Sequence, residues 1–190
     1  ELGGQGAPLV PVGEKYLFPE FDTLINLGGF ANITKKIKNN LIAYDICPIN
    51  IIFNHLSRII KLEYDDKGDI ASSGNINKDL YNYLQRLDYY KLDPPKSLGI
   101  EWVNNYVYSI LKTFNNSTLK DLMNTFSNHF AFQIAKNIGE QDQVLITGGG
   151  AYNDYLIERI KKLTNSKLTI PDPNIIEYKD CLLYTSDAAD

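Results

Sequence analysis

Little in this 190-residue chain points to metal or thiol chemistry: it holds two cysteines, two histidines, one methionine and one tryptophan. Cys47 and Cys181 show neither metal-ligand spacing nor a disulfide framework, which argues against a zinc module and suits a reducing compartment. His55 and His129 have no acidic residue at catalytic spacing and are read as structural. Ser72 and Ser73 lie in no nucleophile elbow, so no hydrolase triad is visible. No apolar run approaches membrane-spanning length, and no charged-then-apolar signal region opens the chain. Positive charge is short as well: 19 Lys and Arg against 23 Asp and Glu give a net charge of −4, the wrong balance for a groove that neutralises duplex phosphates. What is there, 44% hydrophobic and 22% charged residues, is the composition of a globular chain with a sizeable core. The expected partner is a small molecule, and the expected location is the cytoplasm.

The two ends break the pattern of the rest. The chain opens on ELGGQGAPLVP (1–11), a Gly-rich stretch suited to lining a ligand site, with nothing ahead of it to hold it. The final CLLYTSDAAD (181–190) matches an in-frame reading of a transposase-type sequencing adapter, codon for codon. The expected division is therefore a natural lobe over residues 1–180, truncated at both ends, and a non-native tail over 181–190.

Between the ends the periodicity is clear. TLINLGG (23–29), ANITKKI (31–37) and LIAYDI (41–46) are β-rich runs separated by Gly28-Gly29 and Asn39-Asn40, which predicts an antiparallel meander. An amphipathic helix is expected over 49–61, with Ile52, Leu56, Ile59 and Ile60 on one stripe. The segment 64–75 is turn-rich and expected to be exposed. Three more helices are predicted: 77–88 with Leu80, Leu84 and Leu87; 100–113 with Trp102, Val103, Tyr106, Val107, Ile110 and Leu111 facing the core; and a third from the N-cap Thr118 through Leu122, Phe126, Phe130 and Ile134 to Gly139. QVLITGGG (143–150) reads as a buried strand, 151–164 as a helix behind it, and 167–171 as a last short strand. The order β-β-β-α, helical insertion, β-α is that of one α/β lobe of the actin, sugar-kinase and chaperone-ATPase architecture, with a mixed sheet. Such lobes bind nucleotide in the cleft between two of them.

The candidate chemistry lies at the ends of these strands. Gly28 and Gly29 form a plain hairpin corner or bring backbone N–H groups up to an anion. Gly148, Gly149 and Gly150, between a buried strand and a helix, permit close approach of a nucleotide, but they lack the Lys of a phosphate-binding Walker loop and the spacing of a dinucleotide fingerprint. Asn153 either contacts a ligand or caps the following helix. Asp45, at the end of an apolar strand, either orients a metal or phosphate or serves as a turn or cap residue. Lys96, in the Pro-stiffened stretch PPKSLGIEW (94–102), either meets a phosphate or sugar acid or is a solvated loop lysine.

Together, GGQGAPLVP, NLGGFANIT, DICPIN, PPKSLGIEW and ITGGGAYNDYL, in this order and spacing, resemble the anhydro-N-acetylmuramic acid kinase family over nearly all of residues 1–180. The resemblance implies the C-terminal half of a kinase about twice this length. Such a kinase uses ATP and Mg²⁺ to phosphorylate 1,6-anhydro-N-acetylmuramic acid while water opens the anhydro ring, giving N-acetylmuramic acid 6-phosphate in peptidoglycan recycling. It places Gly28 and Gly29 at the ATP phosphates, Gly148, Gly149, Gly150 and Asn153 along the nucleotide, and Gly3, Gly4, Gln5 and Gly6 on the sugar side. Asp45, Asn50, Lys96 and Asp180 are further candidates, Asp180 standing near the position of a family glutamate. The family's general base is an aspartate just ahead of the Gly-Gly-Gln-Gly motif, which puts it upstream of residue 1, so no catalytic residue and no metal ligand is assigned in this chain. The family pattern at 45–50 is more often Asp-Thr-Gly-Pro-Gly-Asn; here Asp45, Pro48 and Asn50 are kept while Ile46, Cys47 and Ile49 replace Thr and two Gly. The implied partners are the sugar, ATP and a missing N-terminal lobe, with the parent a candidate homodimer; nucleic acid and membrane are not expected. Alternatives are another small-molecule kinase or ATPase of the same fold, or a non-catalytic sugar-binding module. The chain alone is expected to be inactive.

Overall fold

The computed structural model describes residues 14, 16–38 and 40–176. The predicted meander forms as β1 (Thr23–Leu27), β2 (Phe30–Ile37) and β3 (Asn40–Pro48), all antiparallel. After a helical excursion, β4 (Gln143–Thr147) inserts parallel to β1, and β5 (Lys167–Thr169) adds parallel to β4. The result is one mixed five-stranded sheet in the order β3-β2-β1-β4-β5. Because β1 and β4 run parallel, with Asn26 opposite Thr147, the two glycine clusters that follow them emerge at the same end of the sheet.

One face of the sheet carries Ile25, Leu27, Ile33, Tyr44, Ile46, Val144 and Ile146 into the main core. The alternate residues Leu24 and Leu145 are also buried but lie outside that cluster, as the two-residue period of a strand requires. β3 departs from strict alternation: its register against β2 shifts at Ala31/Asn32, so that Cys47 opposes Ala31 while Asp45 opposes Asn32. Ile46 is the extra residue of this bulge. Ile46, Cys47 and Ile49 are all buried, so these residues pack the core at the start of the next helix.

That helix, α1 (Asn50–Ile59), buries Ile52, Phe53 and Leu56. The predicted stripe fails at its end. Ile59 and Ile60 are 64% and 45% exposed, because α1 stops at Ile59 and the chain turns away through Lys61 at φ 63°. The segment 64–75 also differs from the exposed turn region expected. A 3-10 turn (Asp66–Gly68) and the short α2 (Asp69–Ser72) bury Asp65, Gly68 and Ala71. The Asp65 carboxylate holds the start of α2 by accepting from the N–H groups of Ile70 and Ala71.

α3 (Lys78–Gln85) is capped by the Asn77 side chain, which accepts from the N–H groups of Asp79 and Leu80. The predicted helix over 100–113 is real but interrupted: α-helical turns at Ile100–Trp102 and Tyr108–Thr113 flank a π-helical stretch, Val103–Val107, together called α4 here. The wider turn shifts the helical phase, which buries Val103 and Val107 while leaving Tyr106, expected in the core, 51% exposed. α5 (Leu119–Lys136) starts at the predicted N-cap, Thr118, whose side chain accepts from the Asp121 N–H. Phe126 and Phe130 on α5 are fully buried, each contributing on the order of 2–3 kcal/mol by burial. α6 (Asp154–Leu163) packs on α5. No described helix is long and apolar enough to cross a membrane.

Candidate functional site

Three segments converge where β1 and β4 end. At the β1–β2 corner, the Gly29 carbonyl accepts from the N–H groups of Ile49 (2.8 Å) and Ile51 (3.3 Å), and the Gly28 carbonyl from that of Asn50 (3.3 Å). The Asn50 carboxamide donates to the Leu27 carbonyl at 3.1 Å. The corner thus caps the first turn of α1, occupying amides that a helix start otherwise leaves orphaned. In a trans peptide the N–H points opposite to the C=O, so the Gly29 N–H is turned away from α1. It donates to no other described residue, and a Cβ on Gly29 would meet nothing within 4 Å. Gly29 is an exposed residue with an open amide at the end of the sheet.

The second glycine cluster divides into two roles. Gly148 has φ 80°, and a Cβ there would collide with Asn26 Oδ1 and come within 2.9 Å of the Leu27 backbone. A Cβ on Gly150 would come within 2.7 Å of the Leu27 Cβ. Both glycines are demanded by close packing on the end of β1. Gly149 is different: its Cβ position is 3.8 Å from the Asn50 carboxamide and otherwise open, and the residue is exposed. Gly149 thus stands open beside Asn50 and Gly29 open at the corner, while Gly148 and Gly150 pack on β1 and the Gly28 carbonyl holds the Asn50 N–H, so that these three form the frame.

The remaining candidates have other partners. Asn153 is buried and caps α6, its side chain accepting from the Leu156 N–H at 2.9 Å; of the two roles read from the sequence, the structure shows the cap. Asp45 lies on the edge strand, where its Oδ2 accepts from the Leu98 N–H (2.8 Å), its N–H donates to the Lys96 carbonyl (3.1 Å) and its carbonyl accepts from the Tyr89 hydroxyl (2.6 Å). Burial pushes the Asp45 carboxyl up, and the Leu98 N–H partly offsets it. The ammonium of Lys96 donates to the carbonyls of Leu92 (3.0 Å) and Tyr89 (3.3 Å) and sits 4.8 Å from the Tyr89 ring centre. Asp45 and Lys96 thus belong to one assembly that seals the free edge of β3. Gly3, Gly4, Gln5, Gly6 and Asp180 lie outside the described residues, as does the 181–190 tail.

The sequence reading passed over Asn26, Asn32 and Thr147. Register places Thr147 opposite Asn26, Asn26 opposite Asn32, and Asn32 opposite Asp45, a polar rung across four strands on the face away from the main core. Asn26 Oδ1 lies between the two glycine clusters, against Gly148 and 3.9 Å from the Cβ position of Gly28. The available signal was the pair of asparagines flanking LGGFA inside otherwise apolar strands.

Residues 1–175 match the sequence model of a family described as anhydro-N-acetylmuramic acid kinase. The chain belongs to that family. Curated relatives include the anhydro-N-acetylmuramic acid kinases of Bacillus cereus (strain Q1), 35% identical over 185 residues, 88% of this chain and 48% of the relative, and of Bacillus anthracis (strain CDC 684 / NRRL 3495), 33% identical over 175 residues, 84% of this chain and 46% of the relative. The chain spans about half the length of the curated relatives it matches. Among solved structures, it is similar to the activator of the 2-hydroxyisocaproyl-CoA dehydratase from Clostridium difficile with bound ADPNP (TM-score 0.55, 21% identity, 95% of this chain and 65% of that one). It is also similar to component A of the (R)-2-hydroxyglutaryl-CoA dehydratase of Acidaminococcus fermentans (TM-score 0.57, 16% identity, 96% and 68%). These neighbours share the actin-like ATPase fold, and the kinase family's lobe has that fold here.

Proposed function

We propose that residues 1–180 are the C-terminal lobe of a cytoplasmic kinase that transfers the γ-phosphoryl group of ATP to O6 of 1,6-anhydro-N-acetylmuramic acid, with hydrolytic opening of the anhydro ring. The observation that carries this reading is the family match over residues 1–175, and the open amide edge at Gly29 and Gly149 supports it. In this reading, Gly29 and Gly149 approach the ATP phosphates through backbone N–H groups, where side chains would block them. Gly28, Gly148 and Gly150 keep those two amides in place, and Asn50 holds the start of α1 against β1. Gly3, Gly4, Gln5 and Gly6 border the sugar. Water, deprotonated by a carboxylate base supplied from outside this chain, attacks the anomeric carbon; the released O6 then takes the phosphoryl group.

Among the described residues no group of three or more His, Cys, Asp or Glu stands together, so Mg²⁺ would be held in the main by the phosphates of ATP and water, with one or two carboxylates at most. Titration calorimetry of ATP–Mg into the full-length protein, followed by phosphorus NMR of the product formed from the anhydro sugar, tests the proposal. Binding and N-acetylmuramic acid 6-phosphate are the expected results; absence of ATP binding would overturn the kinase reading.

A further inference from the structure

A groove of about 240 Å³ lies between the 89–96 loop and the last turns of α5, with Ile46 on its floor. Its charged lining is Lys96 and Lys136 against the carboxylate of Asp93, with Lys91 already paired to Asp88 at 2.7 Å. We propose that this groove binds a small anion of the phosphate type, as a site separate from the glycine corner. Three features support it.

The first is a preset cation. The carbonyls of Tyr89 and Leu92 and the face of the Tyr89 ring fix the Lys96 ammonium in place, and of its three N–H donors two are used, leaving one for a ligand. A lysine already immobilised loses little further side-chain freedom when it binds. The second is repulsion that is only partly offset. Lys136 reaches the same groove from α5, and the Lys96 pKa is lowered, first by burial and next by the charge of Lys136, with Asp93 acting the other way; an anion between the two ammonium groups relieves what remains. The third is polar capacity left over behind the inner wall. Gln133 in that wall is buried and donates to Gln85 Oε1, while Gln85 Nε2 and both ring nitrogens of His129 are buried without a partner among the described residues. The His129 ring is 4.9 Å from that of Tyr90, which lines the groove. Those unpartnered atoms do not reach the groove, but its own lining of Gln133, Asn137 and the lysines is polar and suits a hydrated, oxygen-rich ligand better than an apolar one.

The size fits the same class. Drug-sized and nucleotide ligands occupy cavities of roughly 300–1,000 Å³, and this one is smaller. The loop that lines it is bonded to Asp45 on β3 at the Tyr89, Lys96 and Leu98 positions, so an occupied groove also has a firmer edge strand.

The test uses the full-length protein with its nucleotide cleft filled by a non-hydrolysable ATP analogue, titrated calorimetrically with inorganic phosphate and, separately, with glucose 6-phosphate. One saturable site is expected. Lys136→Gln should weaken it at least about tenfold, the worth of one charge-assisted hydrogen bond, with analogue affinity unchanged. Lys96→Met should do the same, but Lys96 also staples its loop, so the exposed Lys136 decides. Equal affinity for the two ligands assigns the site to free phosphate, and tighter binding of the sugar phosphate assigns it to phosphomonoesters. No saturable heat with either ligand, an unchanged dissociation constant in Lys136→Gln, or one-for-one competition with the analogue would overturn the proposal. The site deepens no part of the kinase reading: if the analogue fails to bind, that reading falls while the phosphate titration is still readable.

Discussion

At the scale of single residues, the Gly148-Gly149-Gly150 run shows how one composition serves two needs. Gly148 combines φ 80° with a Cβ position that collides with Asn26 and crowds the Leu27 backbone, so Gly148→Ala is expected to cost about 2–4 kcal/mol from backbone strain and overpacking together. Gly149→Ala meets only Asn50, at 3.8 Å, and should leave stability within about 0.5 kcal/mol while weakening nucleotide binding. Urea midpoints and ATP titrations of the two variants separate packing from ligand approach. His129 makes a second residue-scale prediction. It is fully buried and its pKa is pulled down to about 3 by burial, against about 6.5 in the unfolded chain. The unfolded chain therefore takes up this proton first as the pH falls. The stability that rests on a neutral His129 is complete above about pH 6.5 and declines toward pH 3, at about 1.4 kcal/mol per pH unit. Between pH 7 and 5 the loss attributable to His129 is about 2 kcal/mol. Comparing urea midpoints of wild type and His129→Phe at both pH values isolates it, and parallel pH dependence in the two proteins would refute the assignment.

At the scale of elements, Asp45 ties a strand to a loop. Its carboxylate accepts from the Leu98 N–H, so Asp45→Ala strands a half-buried donor, at a cost of about 1–3 kcal/mol, and should speed amide exchange across 94–99 while nucleotide affinity holds. Loss of nucleotide binding with unchanged exchange would instead return Asp45 to the ligand site. This tether explains why the sequence could be read only in part. The meander, the Thr118 cap and the Phe126/Phe130 stripe were legible because strand alternation, capping and helical period are local rules. The bulge at Ile46, the π-helical stretch at Val103–Val107 and the burial of Asp65 were not, since each depends on what a distant segment packs against them. The glycine corner falls between. Its residues were legible as a set, but the division into frame (Gly28, Gly148, Gly150) and open edge (Gly29, Gly149) needed the parallel register of β1 with β4. So did the place of Asn26 between the clusters.

At the scale of the whole molecule, the proposed site has only one of its walls in this chain. Gly29 and Gly149 are exposed at the end of the sheet. An amide edge of this kind binds phosphate only weakly while water competes for it, and electrostatic stabilisation gains its strength when a second wall excludes solvent. If, as proposed, that wall and the general base belong to the N-terminal half of a longer kinase, the 190-residue chain by itself should bind ATP far more weakly than the full-length protein. It should also form no N-acetylmuramic acid 6-phosphate when incubated with ATP, Mg²⁺ and the anhydro sugar. Phosphorus NMR over a long incubation is the deciding measurement, because it sees product directly and does not register a contaminating ATPase as sugar phosphorylation. Product formed by the chain alone would mean that one lobe carries its own base, and the search for that base would then begin at the carboxylates nearest the glycine corner.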